Sequence, residues 1–328
     1  MKVYRLTQKV FLIGFFVILF SCQRNRTEKQ VNSEKDLPKI NTLSLVILGT
    51  VQDAGSPHIT CNKDCCKDLF ENPDKNRKVV SLSIIDPQTQ EKFLFEATPD
   101  ITEQMKALKQ LCDWEAPETP DAIFLTHAHI GHYAGLMYLG KEAMNAKTIP
   151  VYAMPKMKSF LENHGPWSQL VNNNNILIHE LQNDSTIQLN ANIQVIPHQV
   201  PHRDEYSETV GYTIMSPNKK VLFIPDIDKW VKWDKNIIDE IQQVDYAFLD
   251  ATFYDGNEIN TRNISEIPHP FVVESMSLFS DLSDEEKRKI HFIHFNHTNP
   301  LLNKDSKETK QVIENGFNIA HIHDVFEL

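Results

Sequence analysis

The stretch Ala122-Ile123-Phe124-Leu125-Thr126-His127-Ala128-His129-Ile130-Gly131-His132-Tyr133-Ala134-Gly135-Leu136 decides the reading of this chain. A short apolar run carries three histidines at its downstream end. The run has the length of a buried strand, and Gly131 and Gly135 mark where that strand turns into the next element. His127 and His129 alternate, so on an extended segment they point the same way, and His132 follows where the chain bends. Three imidazoles converging at the carboxyl end of a buried strand suit a metal. The plainer reading, polar residues on a solvated loop, leaves their place at a strand end unexplained.

A metal needs ligands from several strand ends, and the chain offers three more. His202 follows the strand that ends near Pro197, Asp226 ends the run Val221-Leu222-Phe223-Ile224-Pro225, and His294 ends the run Ile290 to Ile293. Strand-end loops are where a rigid scaffold presents reactive side chains. His198, upstream of His202, is the rival for its role; His202 lies nearer the strand around Val210-Gly211-Tyr212.

The rest of the chain sets bounds. With 328 residues, 41% of them hydrophobic and 23% charged, it can bury a sizeable core as a soluble globular body. A net charge of −11 and the lack of a basic stripe make nucleic acid a poor partner and leave a small molecule as the expected substrate. Lys2, Arg5 and Lys9 precede the apolar run Val10 to Phe20, which is short for a membrane span, and Leu19-Phe20-Ser21-Cys22 follows. Residues 1–22 therefore read as a bacterial lipoprotein signal with Cys22 lipidated, or as an ordinary signal peptide or buried helix. On the first reading residues 23–40 are a flexible polar tether, and residues 41–328 are an exported body held at a membrane by its lipid.

Strands are expected over Leu43 to Thr50, Val79 to Asp86 and Lys92 to Ala97, the last two forming a hairpin through Pro87-Gln88-Thr89-Gln90. The helical spacing of Ile101, Met105, Leu108 and Leu111 predicts a helix over Ile101 to Cys112. Further helices are expected over Tyr133 to Met144, Lys156 to Asn163, Trp230 to Val244, Ser283 to Lys289 and Ser306 to Asn315, with a polar loop at Asn172 to Asn175. Strands at Ile149, Ile176, Ile193, Thr209, Lys220, Tyr246, His291 and Phe317 complete an α/β chain of mixed sheets covered by helices.

Together the histidines and Asp226 resemble the metallo-β-lactamase fold superfamily, whose hallmark is a His-x-His-x-Asp-His motif followed by a distant His, an Asp and a final His. The resemblance spans the body and implies a four-layer αββα sandwich. It implies that His127, His129 and His202 hold one metal, that His132 and His294 hold a second, and that Asp226 bridges them. Here the motif's Asp is Gly131, which has no side chain to ligate. The expectation is one firmly held metal and a weaker or differently filled second position. Phe95-Glu96-Ala97-Thr98-Pro99-Asp100-Ile101 and Phe292-Ile293-His294-Phe295-Asn296-His297-Thr298-Asn299-Pro300 are similar to the branch that holds PQQ-biosynthesis protein B and related cyclic phosphodiesterases of phosphonate metabolism. In those relatives, loop cysteines bind a structural zinc, which points to Cys61, Cys65, Cys66 and His297, with His58 as a substitute ligand. The spacing departs from the relatives' Cys-x-Cys-x-x-Cys, since position 63 is Lys. A disulfide, with Cys112 as a possible partner, is the competing reading for an exported protein.

Asp100 and Asp250 are candidate carboxylates for orienting ligand histidines. His164, His179, His269, His291, His321 and His323 show no sequence context that suggests chemistry. A zinc-type cation, with iron or manganese as alternatives, acidifies a bound water and polarises an ester or phosphoryl oxygen. Asp226 and His202 are thus expected at the centre of a hydrolase for an ester, lactone or phosphodiester. No nucleophile elbow competes. The branch resemblance implies an iron-dependent oxygenase as alternative, though PQQ-biosynthesis protein B lacks the intact His-x-His pair kept here. Gly131 motivates a third reading, a non-catalytic metal-binding protein.

Overall fold

The computed structural model describes residues 37–258 and 267–328. The leader, Cys22 and the tether as far as residue 36 lie outside the described residues. The folded body begins earlier than expected. Leu37 packs against the core, and Ile40 is buried and bridges to Cys112, so the end of the expected tether is already part of the body.

Strand periodicity builds the layers. In β1 (Ser44–Gly49), Val46 and Leu48 enter one apolar cluster with Leu94, Ile123 and Leu108 of α1 (Ile101–Leu111). The alternate residues Leu45 and Ile47 enter a second cluster with Phe93, Phe95, Tyr212 and Phe223. A third cluster gathers Leu222, Ile224, Leu249 and Phe292 against Ile237 and Ile241 of α5 (Ile237–Gln242) and Val312 of α8 (Lys307–Glu314). Three apolar interfaces make four layers, helix on sheet on sheet on helix, which is the expected αββα sandwich.

The first sheet runs β14 (Val325–Glu327), β1, β2 (Ser81–Asp86), β3 (Glu91–Phe95), β4 (Ala122–Phe124), β5 (Ile149–Ala153) and β6 (Ile176–Glu180). Its pairs are antiparallel as far as β3 and parallel from β3 to β6. The second runs β13 (Asn318–Ile319), β12 (Ile290–Ile293), β11 (Tyr246–Asp250), β10 (Lys220–Ile224), β9 (Val210–Met215), β8 (Gln194–Gln199) and β7 (Ile187–Gln188), parallel from β13 to β10 and antiparallel beyond. His127, Asp226, Asp250 and His294 thus sit at or just past the carboxyl ends of parallel strands in both sheets.

Helices depart most from expectation. Tyr133 to Met144 is not one helix: α2 is the single turn Ile130–Tyr133, and a 3-10 segment Ala134–Leu139 follows. Gly131, Gly135 and Gly140 lower helix propensity here. Gly135 is required, because a Cβ on it would lie 2.1 Å from the Thr98 carbonyl oxygen. The helix expected from Trp230 is split into a 3-10 turn Trp230–Lys232 and α5, whose Asn236 side chain accepts from the Ile238 amide as a fresh N-cap. α3 (Pro155–Asn163) and α7 (Asp284–Lys287) fall where expected. α4 (Ser168–Asn172) and α6 (Val272–Leu278) were not anticipated. Among the described residues no helix is long and apolar enough to cross a membrane.

Candidate metal centre

Four donor groups from three strand ends converge on one point. His127 Nε2 lies 2.8 Å from His129 Nδ1, and Asp226 Oδ2 lies 3.3 Å from His127 Nε2, 3.3 Å from His202 Nε2 and 3.8 Å from His129 Nδ1. One ligand atom from each of the four residues falls within 4.8 Å of every other. His127 and Asp226 are buried, at 0% and 2% exposure. His202 Nε2 and Asp226 Oδ1 have no hydrogen-bond partner although both are buried. Asp226 Oδ1 is approached by His269, whereas the bare buried lone pair of His202 Nε2 is costly, and a cation beside it removes that cost. Burial, then the neighbouring His132, pushes the His127 pKa well below the usual histidine value, which keeps the ring in its neutral, ligating form. The donor set, three imidazoles and one carboxylate, fits a zinc-type cation.

A second cluster shares Asp226. His132 Nε2 lies 2.7 Å from Asp53 Oδ1, His294 Nε2 lies 3.4 Å from the same oxygen, and His132 Nε2 lies 3.9 Å from Asp226 Oδ2. Asp53, His132, Asp226 and His294 form a second convergent set of four. Asp53 had no sequence signal of its own: it sits in the loop after β1, between Gln52 and Ala54. The structure also brings in His269, which the sequence left without a partner. Its Nδ1 lies 3.2 Å from Asp226 Oδ1 and 2.9 Å from Asp250 Oδ2. Burial opposes charge on His269, but Asp250 and Asp226 outweigh it and hold its pKa well above the usual value. For Asp226, the burial penalty is overcome by His202 and His269, and the carboxyl stays well below its usual pKa.

Most of the histidines are held from behind. Thr126 Oγ1 lies 2.9 Å from His127 Nδ1, Glu96 Oε1 lies 3.1 Å from His132 Nδ1, Asp228 Oδ1 lies 3.2 Å from His202 Nδ1, and Thr252 Oγ1 lies 2.9 Å from His294 Nδ1. An oxygen on the outer nitrogen fixes tautomer and ring orientation, as metal-binding histidines need. Burial, countered more strongly by Glu96 and Asp53, leaves the His132 pKa well above normal. Glu96 and His294 both adopt left-handed backbone, at φ 79° and 70°, where non-glycine residues are strained and concentrate at functional sites.

The two candidate orienting carboxylates end in different places, Asp250 against the site, with its Oδ1 3.8 Å from His294 Nδ1, and Asp100 away from it. Asp250 reaches His269 directly and holds Thr252, which in turn lies against His294. Asp100 does not join the site: its carboxylate accepts from the Val79 amide at 2.8 Å and faces Lys78, and the position behind His132 goes to Glu96. His198, the rival of His202, is committed elsewhere, with Nδ1 2.6 Å from Asp184 and Nε2 2.8 Å from Thr213.

The cysteine loop forms a separate cluster. Cys61, Cys65, Cys66 and His297 each place one donor atom within 4.8 Å of the others. The thiols are unbonded, at 3.7 Å for Cys61–Cys65 and 3.8 Å for Cys65–Cys66, and Cys112 is a free buried thiol that donates to the Leu108 carbonyl. The disulfide reading thus has no counterpart among the described residues. His58 stacks on His297 at 4.5 Å without entering the set. Burial and the adjacent thiols push Cys65 up to about 12, and burial lowers His297 to about 4.

The chain is similar to known proteins along most of its length. A family profile described as "Beta-lactamase superfamily domain" matches residues 91–295. Coenzyme PQQ synthesis protein B of Methylorubrum extorquens (strain PA1) is 24% identical over 306 residues, covering 85% of this chain and 98% of that protein. The crystal structure of Zn(2+)-bound PqqB from Methylobacterium extorquens superposes with a TM-score of 0.72 at 22% identity, covering 87% of this chain and 100% of that one. A diphosphatase from the PhnP family superposes with a TM-score of 0.62 at 22% identity, covering 87% and 98%.

Proposed function

The chain belongs to the beta-lactamase superfamily, in a PqqB-like branch, and from that premise we propose that it is a metal-dependent hydrolase of an ester, lactone or phosphodiester. One observation carries the reading: His127, His129, His202 and Asp226 converge within 4.8 Å, and the buried His202 Nε2 among them makes no hydrogen bond. Those four residues would hold one cation, and His132, Asp226 and His294 would contribute to a second. Such a cation, when bound, supplies an acidified water and polarises the oxygen of the scissile group. The remaining work falls to the chain. Asp226 stays ionised beside three histidines and orients what enters between the two clusters. His269, whose Nδ1 hydrogen-bonds Asp250 Oδ2, would leave Nε2 as the ring atom to deliver a proton to a leaving oxygen. Hydrolysis is favoured over oxygenation because both members of the His127-x-His129 pair are built into the cluster.

Cys61, Cys65, Cys66 and His297 would hold a separate structural zinc, a closed set of three thiolates and one imidazole. Zinc is the proposed ion at both places. Export and anchoring at a membrane surface through lipidated Cys22 are proposed from the leader sequence.

The test is an assay of the metal-replete full chain with bis(4-nitrophenyl) phosphate, a 4-nitrophenyl ester and a simple lactone. Chelator-sensitive hydrolysis of at least one, abolished by His129→Ala, is expected. Metal-replete protein that turns over none of the three, yet consumes oxygen after iron loading, overturns the reading in favour of oxygenation.

A further inference from the structure

We infer that Asp53 is a metal ligand that replaces the carboxylate missing at Gly131, so that the second position is as complete as the first. The inference rests on the metal-dependent reading above and concerns how this chain completes the site. Two geometric facts support it. First, Asp53 Oδ1 is the oxygen that His132 Nε2 and His294 Nε2 both face, at 2.7 and 3.4 Å. With Asp226 it closes a four-residue donor set. Second, a Cβ built on Gly131 would lie 2.8 Å from that Oδ1, 2.8 Å from the Asp53 Cβ and 2.4 Å from its Cα. Asp53, through its Cα and its side chain together, therefore occupies the space that a side chain at position 131 would need. Glycine at 131 and aspartate at 53 are two halves of one arrangement: the first makes room and the second fills it.

Asp53 is also held in place from the other side of the site. The Gln52 amide donates to the Phe295 carbonyl at 2.8 Å, and the Phe295 amide donates to the Thr50 carbonyl at 2.8 Å. Val51 and Phe295 form an isolated parallel bridge. The loop that carries Asp53 is thus stitched to the residue after His294, which fixes the carboxylate against that ligand.

The experiment is a cobalt(II) titration of the metal-stripped full chain, followed by visible absorption. Thiolate charge-transfer bands separate the cysteine cluster from the histidine pocket. Wild type is expected to take two equivalents in the histidine pocket. Asp53→Ala is expected to take one tightly and the second at least about 10–100-fold more weakly, the loss typical of removing even an outer-shell partner. Asp53→Asn, nearly isosteric but uncharged, is expected to weaken the second equivalent in the same way while thermal unfolding shows the chain still folded. An Asp53→Ala variant that binds both equivalents at wild-type affinity overturns the inference while leaving the metal-dependent reading intact. A folded Asp53→Asn variant that binds both equivalents at wild-type affinity also overturns it. Wild type that takes no cobalt in the histidine pocket sinks the metal-dependent reading itself.

Discussion

Replacing Asp250 by Asn tests how the site's scaffold is held. Asp250 is fully buried at the end of β11 and receives four contacts: the Thr252 amide at 2.8 Å and hydroxyl at 2.7 Å on Oδ1, and the Ile227 amide at 3.1 Å and His269 Nδ1 at 2.9 Å on Oδ2. Burial disfavours its charge, but His269 and His294 lower its pKa from 3.8 to about 2. A depressed carboxyl contributes stability that is fully present above the unfolded pKa and lost as the pH falls through the folded one. The window here is pH 4 to 2, and the contribution is about 2 kcal/mol. An asparagine keeps one acceptor and turns a donor toward the other pair. The hydroxyl and the imidazole can adapt, but one backbone amide, of Ile227 or Thr252, must lose its partner, which costs about 1–3 kcal/mol. Both figures describe the same interactions and do not add. The metal-free Asp250→Asn protein is therefore expected to be about 2 kcal/mol less stable at pH 7, a fall in Tm of roughly 4–8 °C. Thermal unfolding followed by circular dichroism on chelator-treated protein reads this directly, and the gap should narrow as the pH falls from 4 toward 2. A variant as stable as wild type at pH 7, or a gap insensitive to acid, refutes the reasoning.

Other perturbations separate the parts of the molecule. Cys66→Ser is expected to remove one zinc equivalent by elemental analysis and to lower Tm, while the histidine pocket keeps its cobalt spectrum; unchanged zinc content counts against the cysteine site. His291, packed between Phe248 and Phe326 at ring distances of 5.1 and 4.9 Å, is lowered by burial to about 4. The folded state there takes up fewer protons than the unfolded one, so stability present above about pH 6.5 is lost as the pH falls toward 4. His291→Phe should lose less stability than wild type over that window, by about 2–3 kcal/mol in denaturant unfolding; parallel pH profiles contradict this.

What the sequence made legible was set by strands. His127, His129, His202, Asp226 and His294 each follow an apolar run, and the ends of those runs are where the parallel strands of the two sheets present them. The four-layer sandwich follows from the same alternation, since Leu45 and Val46 enter different interiors. Asp53 and His269 escaped because they lie in loops with no periodicity, and only tertiary structure brings them to the site. Gly131 was read as a gap in the motif. The same glycine is the available signal, because a missing carboxylate invites a search for one elsewhere in the chain. Nothing in the sequence around Glu96 signals its role behind His132, and its strained backbone is visible only in the folded chain. The expected helix over Tyr133 to Met144 does not form in one piece, since Gly135 and Gly140 fall inside it and lower its helix propensity.

The most direct measurement of the central claim is anomalous diffraction at the zinc edge from crystals of the zinc-loaded full chain. Peaks are expected between His127, His129, His202 and Asp226, and between Asp53, His132, Asp226 and His294, with a third inside the Cys61, Cys65, Cys66 and His297 cluster. Zinc-loaded crystals with no anomalous peak within ligand distance of His127, His129 and His202 would contradict a metal-dependent centre in this pocket.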